Sequence, residues 1–203
     1  MNTKPTANDT HITVFIFQAG SLLLSNCDRR PGTLVNLTLQ AVFSDRGLCG
    51  LSLLAGNTPA PLCCGLDDAR DPKRTVQRFE RLKDLLLARL NGQPADMAWS
   101  EFDLRGEPAF HVRVWKAMHA IPFGRTATYG RIAKAAGLPR AVRACGQACG
   151  ANPILLFIPC HRVVSASGLG GFGCGLQWKK RFLALEGVDW RALNTSVHSR
   201  RGA

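Results

Sequence analysis

TYGRIAKAAGLPRAVRACGQACG, residues 128–150, holds two short helical patterns divided by a break. The first, 128–137, ends at Gly137. Leu138 and Pro139 make a tight turn, and residues 140–150 read as a second helix. Two short helices across a Gly-containing turn of three residues form a helix-turn-helix pattern. A plain helical hairpin in a core has the same periodicity. Charge argues for the first reading, because Arg140 and Arg143 lie near the N-terminal end of the second helix with no acid nearby.

That charge extends outward. Residues 1–109 carry 12 basic and 12 acidic side chains, whereas residues 110–203 carry 14 basic ones against only Glu186 and Asp189. The whole net charge of +12 therefore sits in the C-terminal half. A neutral half joined to a strongly basic half predicts two domains, the second facing a polyanion such as nucleic acid. A basic surface that serves only solubility is the plainer alternative.

Downstream of the two helices comes Asn152-Pro153 and then ILLFIPCHRVVSAS, 154–167, whose branched apolar residues predict buried extended chain. It contains IPCHRV, with Cys160 directly before His161. A free thiol has a pKa near 8.5 and burial raises it, so a buried nucleophilic cysteine needs a base. Neighbours in an extended strand point to opposite faces, so Cys160 and His161 can couple only through a local bend or a bridging water. Pro159 suits such a bend. His161 needs a partner on its other nitrogen, and Glu186 at the end of the last helical pattern, LQWKKRFLALEG, is available. A Cys–His–Glu relay is the natural proposal. For a bare CH pair, a buried cysteine beside a core histidine is the commoner outcome.

Gly168, Gly170 and Gly173 spell G-x-G-x-x-G, with Asp189 following. As a dinucleotide fingerprint the match fails, because no second buried strand follows Gly187. A loop that lets backbone approach a ligand is the better reading.

The first half reads as HITVFIFQ, SLLLSN, TLVNLTLQAVF and GLCGLSLL, four strand patterns of a small antiparallel sheet. Asn57–Asp71 reads as loop. Pro72 then opens a helix with Val76, Phe79, Leu82, Leu86 and Leu90 on one face, closed by Asn91-Gly92. Residues 93–109 read as a linker. FHVRVWKAMHAI, 110–121, is a helix with Val114, Trp115, Met118 and Ile121 on its apolar face. Residues 1–10 and 194–203 read as polar ends. Eight cysteines without C-x-x-C spacing, in a chain with no convincing signal peptide, predict free thiols in a reducing compartment rather than a disulfide framework or a zinc site. No apolar stretch approaches a membrane span.

Two function classes remain open on these grounds: a thiol-dependent enzyme of small molecules or peptides, and a DNA-binding module. A thiol that does chemistry on nucleic acid would join them.

Phe110–Gly187 resembles the O6-alkylguanine-DNA alkyltransferases, or methylated-DNA–protein-cysteine methyltransferases. The resemblance is carried by FHVRVW, AIPFGRTATYGRIA, the helix containing Arg143, NPILLFIPCHRVV, the Gly-Phe loop and the final LxLEG, in the family's order. It implies an α+β protein: an N-terminal ribonuclease H-like domain of sheet plus helix over residues 1–100, and a mainly helical, winged helix-turn-helix DNA-binding domain over residues 106–190, with a polar tail over 191–203. It implies single-turnover transfer of the alkyl group of O6-alkylguanine, and of O4-alkylthymine, in duplex DNA to Cys160, by a monomer without cofactor or metal. His161 would activate Cys160, Glu186 would hold His161, and Asn152 would fix the turn before the active segment. Tyr129 would crowd the target phosphate and Arg143 would fill the place of the flipped base. Gly130 and Arg140 would lie on the DNA, and Val163, Phe172 and Gly173 would line the pocket. The compartment would be the cytoplasm in a prokaryote or the nucleus in a eukaryote. The alternative is a protein that senses alkylated DNA without repairing it. Phe172, Cys145, Gln147, Cys149 and Cys174 depart from the family's usual residues, as does a loop after Gly168 that is one residue short.

Overall fold

The structure, a computed structural model, describes residues 13–23, 34–54 and 72–195. The expected loop at 57–71 and both chain ends at 1–10 and 196–203 lie outside those residues. The fold is α+β. Its described residues fall into two compact units.

The first unit is built on an antiparallel sheet in the order β1 (Thr13–Leu23), β2 (Leu34–Phe43), β3 (Leu48–Leu54). The two strand patterns foreseen across 11–26 are one strand. A bulge between Ala19 and Leu22 absorbs the irregular Gly20-Ser21 without ending the ladder. Ser44 ties the β2–β3 turn: its hydroxyl accepts from the Arg46 and Gly47 amides and donates to Asp103 at 2.5 Å. The helix α1 (Pro72–Leu90) buries Leu82, Leu86 and Leu90. Val76 was expected on that face but is 51% exposed, and Phe79 is only half-buried, so burial begins at Leu82.

Residues 93–107 are not a free linker. Met97 is buried, Trp99–Glu101 form a 3-10 turn, and Asp103 N–H donates to Leu48 O at 2.9 Å. The unit also takes in Pro153–Leu155, far along the chain. Leu51 N–H donates to Pro153 O and Leu155 N–H to Leu51 O, each at 2.8 Å, so ladder hydrogen bonds satisfy an edge that would otherwise be bare.

The second unit holds α2 (Ala109–His119), β4 (Ala127–Thr128), α3 (Tyr129–Ala135), α4 (Val142–Gly150), β5 (Val163–Val164), α5 (Leu176–Leu185) and a single turn α6 (Ala192–Thr195). The last places helix where a polar tail was expected. Val114, Trp115 and Met118 on α2 are fully buried, as their spacing requires. Trp115 Nε1 donates to Ala148 O at 2.7 Å, pinning α2 to α4. The helix α3 is capped by Thr128, whose hydroxyl accepts from Arg131 N–H. α3 and α4 follow one another across residues 136–141, so the turn is longer than the sequence suggested, and Arg140 lies in it rather than in the helix.

The segment 154–167 was expected to be extended. Residues 155–162 are instead a series of turns. Leu156 is the one non-glycine among the described residues with positive φ, at 70°. Pro159 leads into a 3-10 turn over Cys160–Arg162, and only Val163–Val164 is strand. That strand pairs in parallel with β4, Ala127 opposite Val163 and Thr128 opposite Val164. None of the described helices is long and apolar enough to cross a membrane.

Trp115→Phe removes the buried donor to Ala148 O and leaves a cavity where the larger indole sat. It should cost about 2–5 kcal/mol of unfolding free energy in urea titration.

Candidate active site

The parallel pairing of β4 with β5 decides which residues meet. It sets the start of α3, at Tyr129, beside the turn that carries Cys160. Tyr129, Gly146, Cys149, Gly150, Cys160 and Phe172, with Gly171 and Gly173, line one cavity of about 150 Å3. The glycine loop closes over it. A Cβ on Gly170, whose φ is +69°, would stand 3.0 Å from the Tyr129 ring, so only glycine lets the loop come this close. The strand before the G-x-G-x-x-G is two residues long, and the glycines serve this wall rather than a dinucleotide.

Cys160 is half-buried at the cavity wall. Asn152, just past the end of α4, donates through Nδ2 to Ile158 O at 2.7 Å and to Cys160 Sγ at 3.2 Å. Burial pushes the Cys160 thiol up to about 11, against the opposing pull of the Asn152 hydrogen bond and the Lys179 charge. At pH 7 roughly one thiol in ten thousand is then ionised.

The 3-10 turn splays the next two side chains inward. His161 and Arg162 are both buried and both reach Glu186. His161 Nε2 lies 2.8 Å from Glu186 Oε1, while Arg162 grips the carboxylate with Nε at 2.8 Å and Nη2 at 2.9 Å. Gly124 N–H adds a contact at 3.3 Å, and Arg162 Nη1 donates to Ile121 O at 2.6 Å. Burial alone would raise the Glu186 pKa, but the hydrogen bonds and charges of His161 and Arg162 bring it down to about 2. Glu186 caps the C-terminus of α5, where the helix dipole disfavours an anion. Gly187, at φ +72°, closes the helix there, with Gly187 N–H on Ala184 O and Val188 N–H on Leu183 O. The cationic partners offset the unfavourable dipole.

Two members of this cluster were not singled out from the sequence. Arg162 is adjacent to the CH pair, and the scarcity of acids in this half was a signal that Glu186 would have more than one basic partner. Lys179 had no such signal. It is fully buried on α5, and its ammonium donates to Val163 O at 2.5 Å, Leu169 O at 2.6 Å and Gly171 O at 3.0 Å. Burial pulls its pKa down to about 8, opposed by the Cys160 and Cys149 sulfurs. It stays a cation at neutral pH and ties the first half of the glycine loop to β5. Val163 is wholly buried and presents its carbonyl to Lys179, while Phe172 meets the cavity and packs edge-on against Phe182. Tyr129 keeps its proton, because burial raises its pKa. Arg143, Arg140 and Gly130 are exposed. Among the described residues no cluster of His, Cys, Asp and Glu could hold a metal ion.

A buried His–Glu pair beside a cavity thiol suits nucleophilic displacement, and its setting has relatives. The family model for the DNA-binding domain of 6-O-methylguanine DNA methyltransferase matches residues 109–188, which span all of these groups. A methylated-DNA–protein-cysteine methyltransferase of Mycolicibacterium paratuberculosis is 42% identical over 144 residues, 68% of this chain and 86% of that one. The chain belongs to the methylated-DNA–protein-cysteine methyltransferase family. Another similar protein is the bifunctional transcriptional activator/DNA repair enzyme Ada of Escherichia coli, 37% identical over 70% of this chain and 40% of its own length. Among solved structures, Mycobacterium tuberculosis OGT in complex with DNA superposes with a TM-score of 0.61 at 32% identity, covering 88% of this chain and 98% of that one.

In this methyltransferase the lowered Glu186 pKa has a consequence for stability. The carboxylate binds its proton more weakly folded than unfolded, so its stabilisation is complete above about pH 4.5 and is lost as pH falls through about 2. The wild type should lose about 3 kcal/mol over that interval relative to Glu186→Gln, read from paired denaturant titrations across the range.

Proposed function

We propose that the protein repairs DNA directly, moving the alkyl group of O6-alkylguanine, and of O4-alkylthymine, in duplex DNA onto Cys160. The observation that carries this reading is Cys160 at the wall of a cavity, directly before His161 of the buried His161–Glu186 pair. The damaged base leaves the stack and enters that cavity. Glu186 engages His161 Nε2, so Nδ1 takes the thiol proton through an intervening water. The Arg162-bound carboxylate stabilises the imidazolium that forms.

The thiolate then attacks the alkyl carbon in line. The S–C bond forms as the C–O6 bond breaks, and the electron pair leaves on the guanine oxygen. Tyr129, kept protonated by burial, donates a hydrogen bond to the base and lowers the cost of that negative charge. Because so little thiolate exists at rest, deprotonation is coupled to base entry and the thiol is spared from adventitious alkylation. Asn152 holds the sulfur and the turn behind it. Lys179 keeps the loop of Phe172 and Gly173 against the base. The thioether product has no group poised to cleave it, so each molecule acts once, and the balance needs no cofactor.

The exposed Arg143 on the first turn of α4 enters the duplex where the base was, while Arg140, Gly130 and the basic surface of this half lie along the phosphates. The protein acts as a monomer in a reducing compartment, the cytoplasm if the cell is prokaryotic.

Mixed with duplex DNA containing one O6-methylguanine, the protein should gain a single methyl group on Cys160 by intact mass and stop at one equivalent. Cys160→Ala should bind the duplex and gain nothing. Tight binding of the damaged duplex by the wild type without mass gain would assign it to lesion sensing instead. For Arg143→Ala, the transfer rate at saturating DNA should fall about tenfold with the salt slope of binding unchanged, whereas a phosphate contact would lower that slope by about one.

A further inference from the structure

The cavity that holds the acceptor thiol is lined by a second one. Cys149 lies on the last turn of α4, and the chain then turns so that Asn152 N–H donates to Cys149 O at 3.4 Å. Cys149 and Gly146, one turn apart on α4, both border the cavity. The Asn152 amide touches Cys160 Sγ at 3.2 Å, and Cys149 shares the cavity wall with Cys160. Cys149 Sγ also meets Met118 Sδ at 3.2 Å, which sets it on a packed helix rather than on a loop. Both cysteines are free thiols. The site chemistry above uses Cys160 and leaves Cys149 without a part.

We propose that Cys149 is a resolving cysteine for Cys160: once Cys160 is oxidised, the two close a disulfide across the cavity, a reversible modification that takes the acceptor out of service. The oxidant is a hydroperoxide. Its O–O bond breaks as the Cys160 sulfur takes one oxygen, giving the sulfenic acid and an alcohol or water. The Cys149 sulfur then displaces that oxygen. The S–S bond forms, the S–O bond breaks, and the hydroxyl leaves with the Cys149 proton as water.

An alkyl acceptor that works once has no use for a sulfinic or sulfonic acid, both of which are irreversible here. A neighbouring thiol in the same cavity halts oxidation one step earlier, at a state that cellular thiols reverse. Burial holds both thiols protonated, so the reaction is slow at neutral pH and quickens as pH rises. Cys174, in the glycine loop, does not line the cavity, and Cys145, one turn before Cys149 on α4, is buried in the core and does not line it either. The consequence for repair rests on Cys160 being the acceptor, but the bond itself does not.

The test is hydrogen peroxide treatment of the full-length protein without DNA, followed by alkylation of remaining thiols, non-reducing digestion and peptide mass mapping. The expected product is a Cys149–Cys160 linked peptide, two hydrogens lighter than the pair of free peptides, which dithiothreitol separates. Cys149→Ser should send Cys160 on to its sulfinic and sulfonic acids, lowering the reducible fraction about tenfold. Cys174→Ser should leave the Cys149–Cys160 peptide in place, which keeps the test decisive if the Cys149 variant folds poorly. A Cys160–Cys174 peptide instead, or overoxidation of Cys160 in the wild type at the rate of Cys149→Ser, overturns the proposal. The mapping reads the bond whether or not the protein transfers alkyl groups, so failure of the repair reading and failure of this one give different results.

Discussion

The Glu186 carboxylate organises the second unit. It is buried at the C-terminal end of a helix, the worst place for an anion on dipole grounds, and it holds His161, both forks of Arg162 and the Gly124 amide. Each charge in this cluster would be costly alone in such surroundings. Together they satisfy one another, and removing one partner strands the rest. The consequence is geometric. α5, the turn carrying Cys160 and the loop between α2 and α3 all end on one carboxylate, so the imidazole beside the thiol has almost no freedom.

Lys179 does for the cavity's cover what Glu186 does for its base. Three carbonyls from the segment 163–171 converge on one ammonium, which satisfies backbone acceptors that the irregular loop cannot pair within itself. A loop rich in glycine approaches the Tyr129 ring closely only because it lacks side chains, and it would pay for that freedom in disorder without such an anchor. Rigid support under a permissive loop suits the entry of a base proposed above.

The thiol's reactivity follows from the same burial. Under the proposed function an acceptor that works once must not be spent on stray electrophiles, and burial, which raises the Cys160 pKa, favours the protonated, less reactive form. A second sulfur on the cavity wall adds a way to hold that thiol in reserve under oxidation.

The sequence by itself determined the elements with strong local signals: the amphipathic stripe of Val114, Trp115 and Met118, the Pro72 helix, the glycine stop at Gly137, and the concentration of positive charge after residue 109. It also placed Cys160, His161 and Glu186 among the candidates, because a thiol directly before an imidazole stands out and only two acids exist in this half, while Asn152 entered through the family resemblance alone. Only the tertiary structure decided that residues 155–162 are turns rather than strand, since their branched apolar residues suit any buried conformation and local pattern cannot tell one from another. Only it decided that Pro153–Leu155 completes the edge of a sheet some hundred residues earlier. His161 was paired with Glu186 from the sequence, but the grip of Arg162 on that carboxylate and the partners of Lys179 were out of reach, because each is a contact across the fold. Nothing in the spacing of Arg162 or Lys179 distinguishes either from the surface charges around it.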